Sequence, residues 1–271
     1  MAGENDRALD SGGVSESIGF LLIFTIVVVG IGLVTLYGYP MLLAQQVNTD
    51  EKIMEKNMIV LQNDLKGITF KTVPYKETSL KIGDGLLKVY NASETPAAST
   101  FRIYDSSTAY VDSFRSGDLR YTSQSSRTDI SLQNGAVVMR YHGDPGSSML
   151  AEPRWFYDGQ TNTMVINLIS INSSGVMARD GIGTVQMAMG ETGYQYTEGI
   201  NSDIFLDFTP DPTPVTAQDY RTAWDNYFIR SLNMERISSP DAATVTYKLP
   251  TKTASPARLV IKTYDVVIKS L

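Results

Sequence analysis

One histidine, His142, and no cysteine are present in the 271 residues. The lack of thiols removes disulfides, thiolate catalysis and zinc–thiolate sites together. A lone histidine cannot build a His-rich metal centre, and a Ser-His-Asp triad would have to use His142. That residue follows the apolar run 137–141 and precedes Gly143-Asp144-Pro145-Gly146, the setting of a solvated loop histidine. No G-x-S-x-G, S-x-x-K, G-x-x-x-x-G-K-[ST] or G-x-G-x-x-G pattern occurs. Asp203, Asp207 and Asp211 could offer oxygens to calcium. Their spacing lacks the Gly and terminal Glu of an EF-hand loop, so solvated acidic side chains are expected. Two carboxylates for glycoside hydrolysis would meet only in the fold, and nothing singles out a pair. The sequence therefore predicts no enzyme, no cofactor and no metal. Two sequons, Asn91-Ala92-Ser93 and Asn172-Ser173-Ser174, offer candidate glycosylation sites in turn-like surroundings.

The charge balance narrows the partners. There are 23 basic against 29 acidic residues, a net charge of −6, and no dense Lys/Arg block, so no nucleic-acid partner is expected. Fifteen Tyr and 21 Gly suit strands joined by tight turns.

The organising element is the stretch 19–44, GFLLIFTIVVVGIGLVTLYGYPMLLA, which carries no charge from Gly19 to Tyr39. About 20 such residues cross a hydrocarbon core roughly 30 Å thick. A buried helix of a soluble protein rarely runs so far without a polar face. Membrane lipid is thus the first partner predicted. Ser15 is a plausible N-cap, and Glu16 in the first turn complements the helix dipole. Tyr37 and Tyr39 lie where an interfacial aromatic belt is expected. Pro40 cannot donate a backbone hydrogen bond, so a kink or loosened turn is predicted near 38–40. Beyond it Val47, Met54, Met58, Leu61 and Leu65 form one stripe, with Asp50, Glu51, Lys52, Glu55 and Lys56 largely elsewhere. Span and amphipathic extension together make about 50 helical residues, or roughly 75 Å.

From Ile68 the pattern changes to short alternating runs. Asp84-Gly85, Asn134-Gly135 and Asp158-Gly159 each lie between such runs, and these dipeptides suit type I′ turns, so three hairpins are predicted. Further strands are expected over 101–104, 110–114, 183–189, 204–208, 244–249 and 258–268, the last two joined as a hairpin across 250–257. A stiff Thr209-Pro-Asp-Pro-Thr-Pro214 connector leads to a helix near 216–232, with Thr216 and Asp219 resembling a capping box. Its aromatic stripe, Tyr220, Trp224, Tyr227, Phe228 and Leu232, is expected to pack on a sheet. The fold class predicted is mainly β with a long N-terminal α-helix, the domain being an antiparallel β-sandwich or barrel-like sheet. The divisions are a leader-like segment 1–13, a transmembrane helix with its extension 14–66, and a β-rich exterior domain 67–271.

Residues 12–44, GGVSESIGFLLIFTIVVVGIGLVTLYGYPMLLA, resemble the N-terminus of archaeal type IV pilin-like proteins, including a poorly characterised group of membrane-anchored euryarchaeal proteins. The shared features are a short polar leader, a small residue, V-S-x-x-I-G and an uninterrupted apolar helix. Asn134-Gly-Ala-Val-Val, Met149-Leu-Ala-Glu-Pro153-Arg-Trp-Phe156 and Trp224-Asp-Asn-Tyr-Phe228 are similar to that group as well. The resemblance implies a class III signal peptide cleaved between Gly13 and Val14, and a helix that packs with its neighbours in a filament core. Gly12 stands where the family carries a basic residue, and Ile18 rather than an acid occupies position five of the mature chain. Glu16 is third, where it could pair with a neighbour's terminal amine.

The function expected is accordingly a pilin-like structural or adhesive cell-surface protein, single-pass in the cell membrane, with its C-terminal domain outside. Its partners would be lipid and further pilin-like subunits. Gly30 and Gly32 are the small residues available for helix packing. The alternatives are a monomeric, signal-anchored exterior domain that binds carbohydrate or another envelope component, and a membrane-tethered hydrolase using Asp/Glu chemistry.

Overall fold

The computed structural model describes residues 11–271 apart from 72, 94–98, 124, 144–145, 211–219 and 253–254, with side chains from residue 17 onward. The chain divides into two units, Met1–Asn48 and Thr49–Leu271.

The first unit is helical throughout its described residues. Helix α1 spans Ser11–Leu33, and a π-helical turn, Val34–Gly38, joins it to α2, Tyr39–Lys71. Because α1 already includes Ser11–Gly13, Ser15 lies inside the helix and does not cap it. The π turn has a local cause. Pro40 brings no N–H and its ring crowds the carbonyl one turn back; the Tyr39 N–H reaches five residues back to the Val34 oxygen, which widens the helix there. Between Ile18 and Leu43 the large apolar side chains are 44–72% exposed, so nothing among the described residues covers them. Thr25 and Thr35 turn their hydroxyls back onto the Leu21 and Ile31 carbonyls at 2.8 and 2.9 Å, so both threonine donors are satisfied within the helix. This helix is long and apolar enough to cross a membrane.

In the second unit fourteen strands are described: β1 (Tyr75–Tyr90), β2 (Thr100–Tyr104), β3 (Ala109–Arg115), β4 (Asp118–Ser123), β5 (Thr128–Gln133), β6 (Ala136–Tyr141), β7 (Ser147–Ala151), β8 (Phe156–Asp158), β9 (Thr163–Ser173), β10 (Ala178–Ile200), β11 (Phe205–Thr209), β12 (Glu235–Arg236), β13 (Val245–Lys248) and β14 (Ala257–Ser270). Nine form one sheet, in the order β7-β6-β5-β4-β1-β10-β14-β9-β8, and five form another, β12-β13-β11-β2-β3. Every pairing is antiparallel except β14 with β9, which runs parallel from Arg258 opposite Thr163 to Ile268 opposite Ser173.

The large sheet wraps the buried part of α2. Met54, Met58, Leu61, Leu65 and Ile68 are fully buried and pack against Leu80, Leu87, Tyr121, Ile130, Val185 and Ile268 from one sheet face. The predicted stripe therefore does pack on the domain. Its flanks differ from expectation, since Asp50 and Glu51 are also buried. Asp50 meets Lys81 at 3.3 Å, and Glu51 accepts from the Tyr141 hydroxyl at 2.9 Å, which makes their burial tolerable. On its other face the large sheet shares a core with the small one. Phe101, Phe208, Trp155, Trp224, Phe228 and Tyr247 meet there, with ring centroids 4.9–5.8 Å apart for Phe228–Tyr247, Phe101–Trp224 and Trp155–Phe228. Trp224 and Phe228 come from α3 (Arg221–Asn226) and the π turn after it, Tyr227–Ser231, so the aromatic stripe faces the core as expected. The capping pair Thr216 and Asp219 lies outside the described residues.

Two predicted hairpins are absent. Asp84-Gly85 lies within the single long strand β1, which slips register around Gly83 instead of turning. Gly85 is required there because a Cβ would stand 2.3 Å from the Tyr121 ring. The segment 250–257 passes between sheets: β13 belongs to the small one and β14 to the large one. Asn134-Gly135 does turn, with φ of 46° and 74°, and joins β5 to β6. Asp158-Gly159 also opens a hairpin, but a wider one, closed at Asn162 (φ 50°) before β9.

The large sheet curls without closing into a barrel. β8 covers β9 only at residues 163–165. Beyond that, loops cap the edge one group at a time. Asn134 Oδ1 accepts from the Ile169 N–H at 2.8 Å, the Ser116 carbonyl from Ile171 N–H at 2.8 Å, and Asn91 Oδ1 from Ser173 N–H at 2.6 Å. The edge is thereby satisfied without a neighbouring strand.

Candidate functional site

The residues singled out from the sequence do not come together. Gly13 and Val14 lie in helical backbone, and the side chain of Glu16 falls outside the described residues, as does all of Asp211. Gly30 and Gly32 face open space, with nothing within 4 Å of a Cβ placed on either. Asn91 is 8% exposed, and its carboxamide oxygen holds both the N–H and the hydroxyl of Ser173. Asn172 donates to Asp265 at 2.6 Å and accepts from the Ala92 N–H at 3.0 Å. Both sequon asparagines are thus spent sealing the β9 edge, and glycan addition to the folded domain is disfavoured. Asp203 pairs with Lys248 at 2.7 Å, while Asp207 accepts from Thr246 at 2.7 Å and lies 3.9 Å from Arg102. Among the described residues no group of three or more His, Asp or Glu side chains could hold a metal.

His142 lies in the turn after β6, part exposed as a loop histidine should be, and its Nε2 also stands 3.0 Å from Asp129 Oδ2. Behind it lies a polar layer that the sequence did not reveal. Arg140 meets Asp129 at 2.6 Å, Arg120 meets Asp118 at 2.7 Å, and the guanidinium carbons lie 4.9 and 5.7 Å from the Tyr220 ring centre. Burial pushes the Asp129 carboxyl up, but Arg140, Thr122 and His142 outweigh it and hold it below its ordinary value. These ion pairs are 6% exposed or less, so they consolidate β4–β6 instead of meeting a substrate.

The open concave surface lies where α2 ends. Past Lys71 the sheet continues without a helix on it, because β10 and β14 outrun the helix. Two cavities of 610 and 390 Å³ share Thr69, Phe70, Tyr194, Lys262 and Tyr264 and so form one groove. Cross-strand register sets its floor: Tyr194 stands opposite Lys262, and Thr192 opposite Tyr264. Between Met189 and Thr192 β10 slips register, which bends the strand around the helix end. Phe70 meets Tyr264 edge-on at 5.5 Å, and the Arg154 guanidinium covers Phe70 at 4.9 Å. The Lys262 ammonium lies 6.0 Å from the Tyr194 ring centre. Asn167 fixes the segment between β7 and β8 that carries Arg154, donating to the Arg154 carbonyl and accepting the Trp155 indole N–H at 2.6 Å. Burial raises the Tyr264 phenol, with Arg154 opposing the shift.

Among the described residues Arg154 and Lys262 are the only charged side chains lining the groove, and neither has a carboxylate partner there. A chain of net charge −6 thus concentrates two unpaired cations beside exposed rings, Tyr194 at 68% and Phe156 at 48%. None of these residues was assigned a site role from sequence. Arg154 and Phe156 fall within the 149–156 stretch quoted for the family resemblance, and Tyr194 alternates with Tyr196 in an otherwise polar run. The arrangement can stack on a flat ring and neutralise an anion. It offers no nucleophile–base pair.

No curated protein and no solved structure matches the chain. A family model described as a family of unknown function (DUF7289) matches residues 13–269, almost the entire length, and the protein belongs to that family.

Proposed function

We propose that the protein is a pilin-like structural or adhesive cell-surface protein, whose N-terminal helix anchors it in the membrane or polymerises and whose β-rich domain is displayed outside. The observation that carries this reading is the sleeve of exposed Phe, Leu, Ile and Val from Ile18 to Leu43. At about 1.5–3 kcal/mol for each large apolar side chain buried, such a surface in water is unfavourable by tens of kcal/mol, so lipid or like helices must cover it. The internally bonded threonines and the absence of charge support the same conclusion. No catalytic role or cofactor is assigned.

The test is the mass of the native N-terminus combined with membrane fractionation. A chain beginning at Val14 and retained in the membrane or in filaments supports the processed, pilin-like form. A membrane-bound chain still bearing Met1 or Ala2 overturns processing and leaves a permanent anchor. Recovery as a soluble monomer without detergent overturns the reading altogether. The groove beyond α2 favours a second reading, an anchored exterior domain that binds an envelope component.

A further inference from the structure

We propose that the groove beyond the end of α2 binds an acidic saccharide, a chain of pyranose rings bearing carboxylates. The inference rests on the second reading above, in which the exterior domain binds an envelope component, and gives that ligand its chemistry. Tyr194, Tyr264 and Phe70 present rigid rings along a concave wall, and the cavity of 610 Å³ falls within the roughly 300–1,000 Å³ usual for small-molecule sites. The C–H face of a sugar ring carries slight positive charge and packs on the negative face of an aromatic ring. Tyrosine offers that contact at little cost in conformational entropy.

The charges choose among ring-bearing ligands. Arg154 and Lys262 are unpaired among the described residues, and no carboxylate lines the groove to repel an anion. A guanidinium matches a carboxylate through two parallel hydrogen bonds, while an ammonium acts as a point charge. Lys262 and Tyr264 are two residues apart on one strand face, about 7 Å, so a stacked ring and its charged substituent can be met together. A nucleic acid would demand many more cations than two. An acyl chain would leave the charges of Arg154 and Lys262 and the hydroxyls of Tyr194 and Tyr264 without partners.

The test uses the full chain in detergent, titrated calorimetrically with hexamers of α-1,4-linked galacturonic acid. Comparison ligands are the same hexamers with carboxylates reduced to alcohols, and glycerol phosphate as the headgroup of an anionic lipid. The acidic hexamer should bind at least tenfold more tightly than the reduced one, a difference of about 1.4 kcal/mol, and should weaken with added salt. Lys262→Gln and Arg154→Gln should each cost roughly five- to tenfold for the acidic hexamer and little for the reduced one. Tyr194→Ala should weaken both. Tyr194 is 68% exposed, so its variant should melt with the parent, which separates lost binding from lost folding. Equal affinity for the two hexamers, indifference to all three substitutions, or glycerol phosphate binding as tightly as the hexamer would overturn the proposal. Any of these outcomes leaves the membrane anchor standing, because fractionation and terminal mass read that separately.

Discussion

Replacing Gln62 by Met tests whether the wrapped sheet holds α2 through a specific polar clasp as well as through apolar contact. Gln62 is 1% exposed in the middle of the buried stripe. Its Nε2 donates to the Gly135 carbonyl at 2.7 Å and the Glu152 carbonyl at 2.9 Å, so one side chain ties the helix to the β5–β6 turn and to the residue after β7. Methionine keeps the volume, which removes any cavity contribution. What remains is two hydrogen bonds, each about 0.5–1.5 kcal/mol net, and the fate of the two carbonyls. Glu152 is exposed and its oxygen also lies 3.4 Å from Lys66 Nζ, so water and that ammonium can replace the lost donor. The Gly135 oxygen is buried, and leaving it bare costs about 1–3 kcal/mol. The buried carbonyl thus dominates, and a total of about 2–3 kcal/mol is expected. For a domain of this size that lowers Tm by about 4–12 °C. Trp155 and Trp224 are both core residues, so tryptophan fluorescence follows melting of the β-rich domain while the apolar helix stays in a micelle. Asn63→Met, one residue along and exposed, is the matched control. A Tm for Gln62→Met within 1 °C of that control would refute the clasp.

Three further predictions follow from single contacts. A Cβ on Gly30 or Gly32 has no described neighbour within 4 Å beyond the helix itself, and replacing Gly in a helix gains up to about 1 kcal/mol of propensity, so Gly30→Leu and Gly32→Leu should leave membrane partition unchanged while abolishing filaments or cross-linked oligomers; unaltered assembly in both would remove these glycines from any interface. Burial raises the Asp105 carboxyl, but donors from Ser107, Tyr110, Ser202 and Thr108 outweigh it and hold it well below the usual carboxylate range. A depressed folded-state value means stability that is intact above about pH 4 and lost as pH falls below it, so Asp105→Asn should flatten the acid limb of Tm against pH; a limb parallel to the parent's would refute this. Asn91→Ala should destabilise by about 1–3 kcal/mol because the Ser173 N–H loses its acceptor at the β9 edge, and peptide mass spectrometry of the native protein should find Asn91 without glycan; a fully stable variant or a modified Asn91 would contradict the buried assignment.

What was legible in the sequence was local. The charge-free helix, the stripe from Met54 to Leu65 and the Asn134-Gly135 turn each depend on residues within a few positions of one another. Asp84-Gly85 misled because its glycine answers a distant demand, room for the ring of Tyr121 on the neighbouring strand. Asn91 and Asn172 read as solvent-facing sequons for a similar reason, since their partners lie about eighty residues away across the curl. Nor could spacing disclose that β14 runs parallel to β9.

The groove was hidden by a further step, because it follows from a mismatch of lengths and not from any motif. The buried run of α2, residues 50–69, covers about 30 Å at 1.5 Å per residue. The 23 residues of β10 reach about 75 Å at 3.3 Å each, and no helix of this length can cover that strand from end to end. The uncovered portion must be polar, or else lined by side chains with a use outside the fold. Along β10, β14 and the Arg154 segment it is lined by rings and two unpaired cations, a choice that stability alone does not explain. Polar residues at Tyr194 and Phe156 would satisfy the same exposed surface without large apolar area in water. Aromatic residues there are accounted for if a partner covers them, and the adjacent cations specify that the partner is an anion.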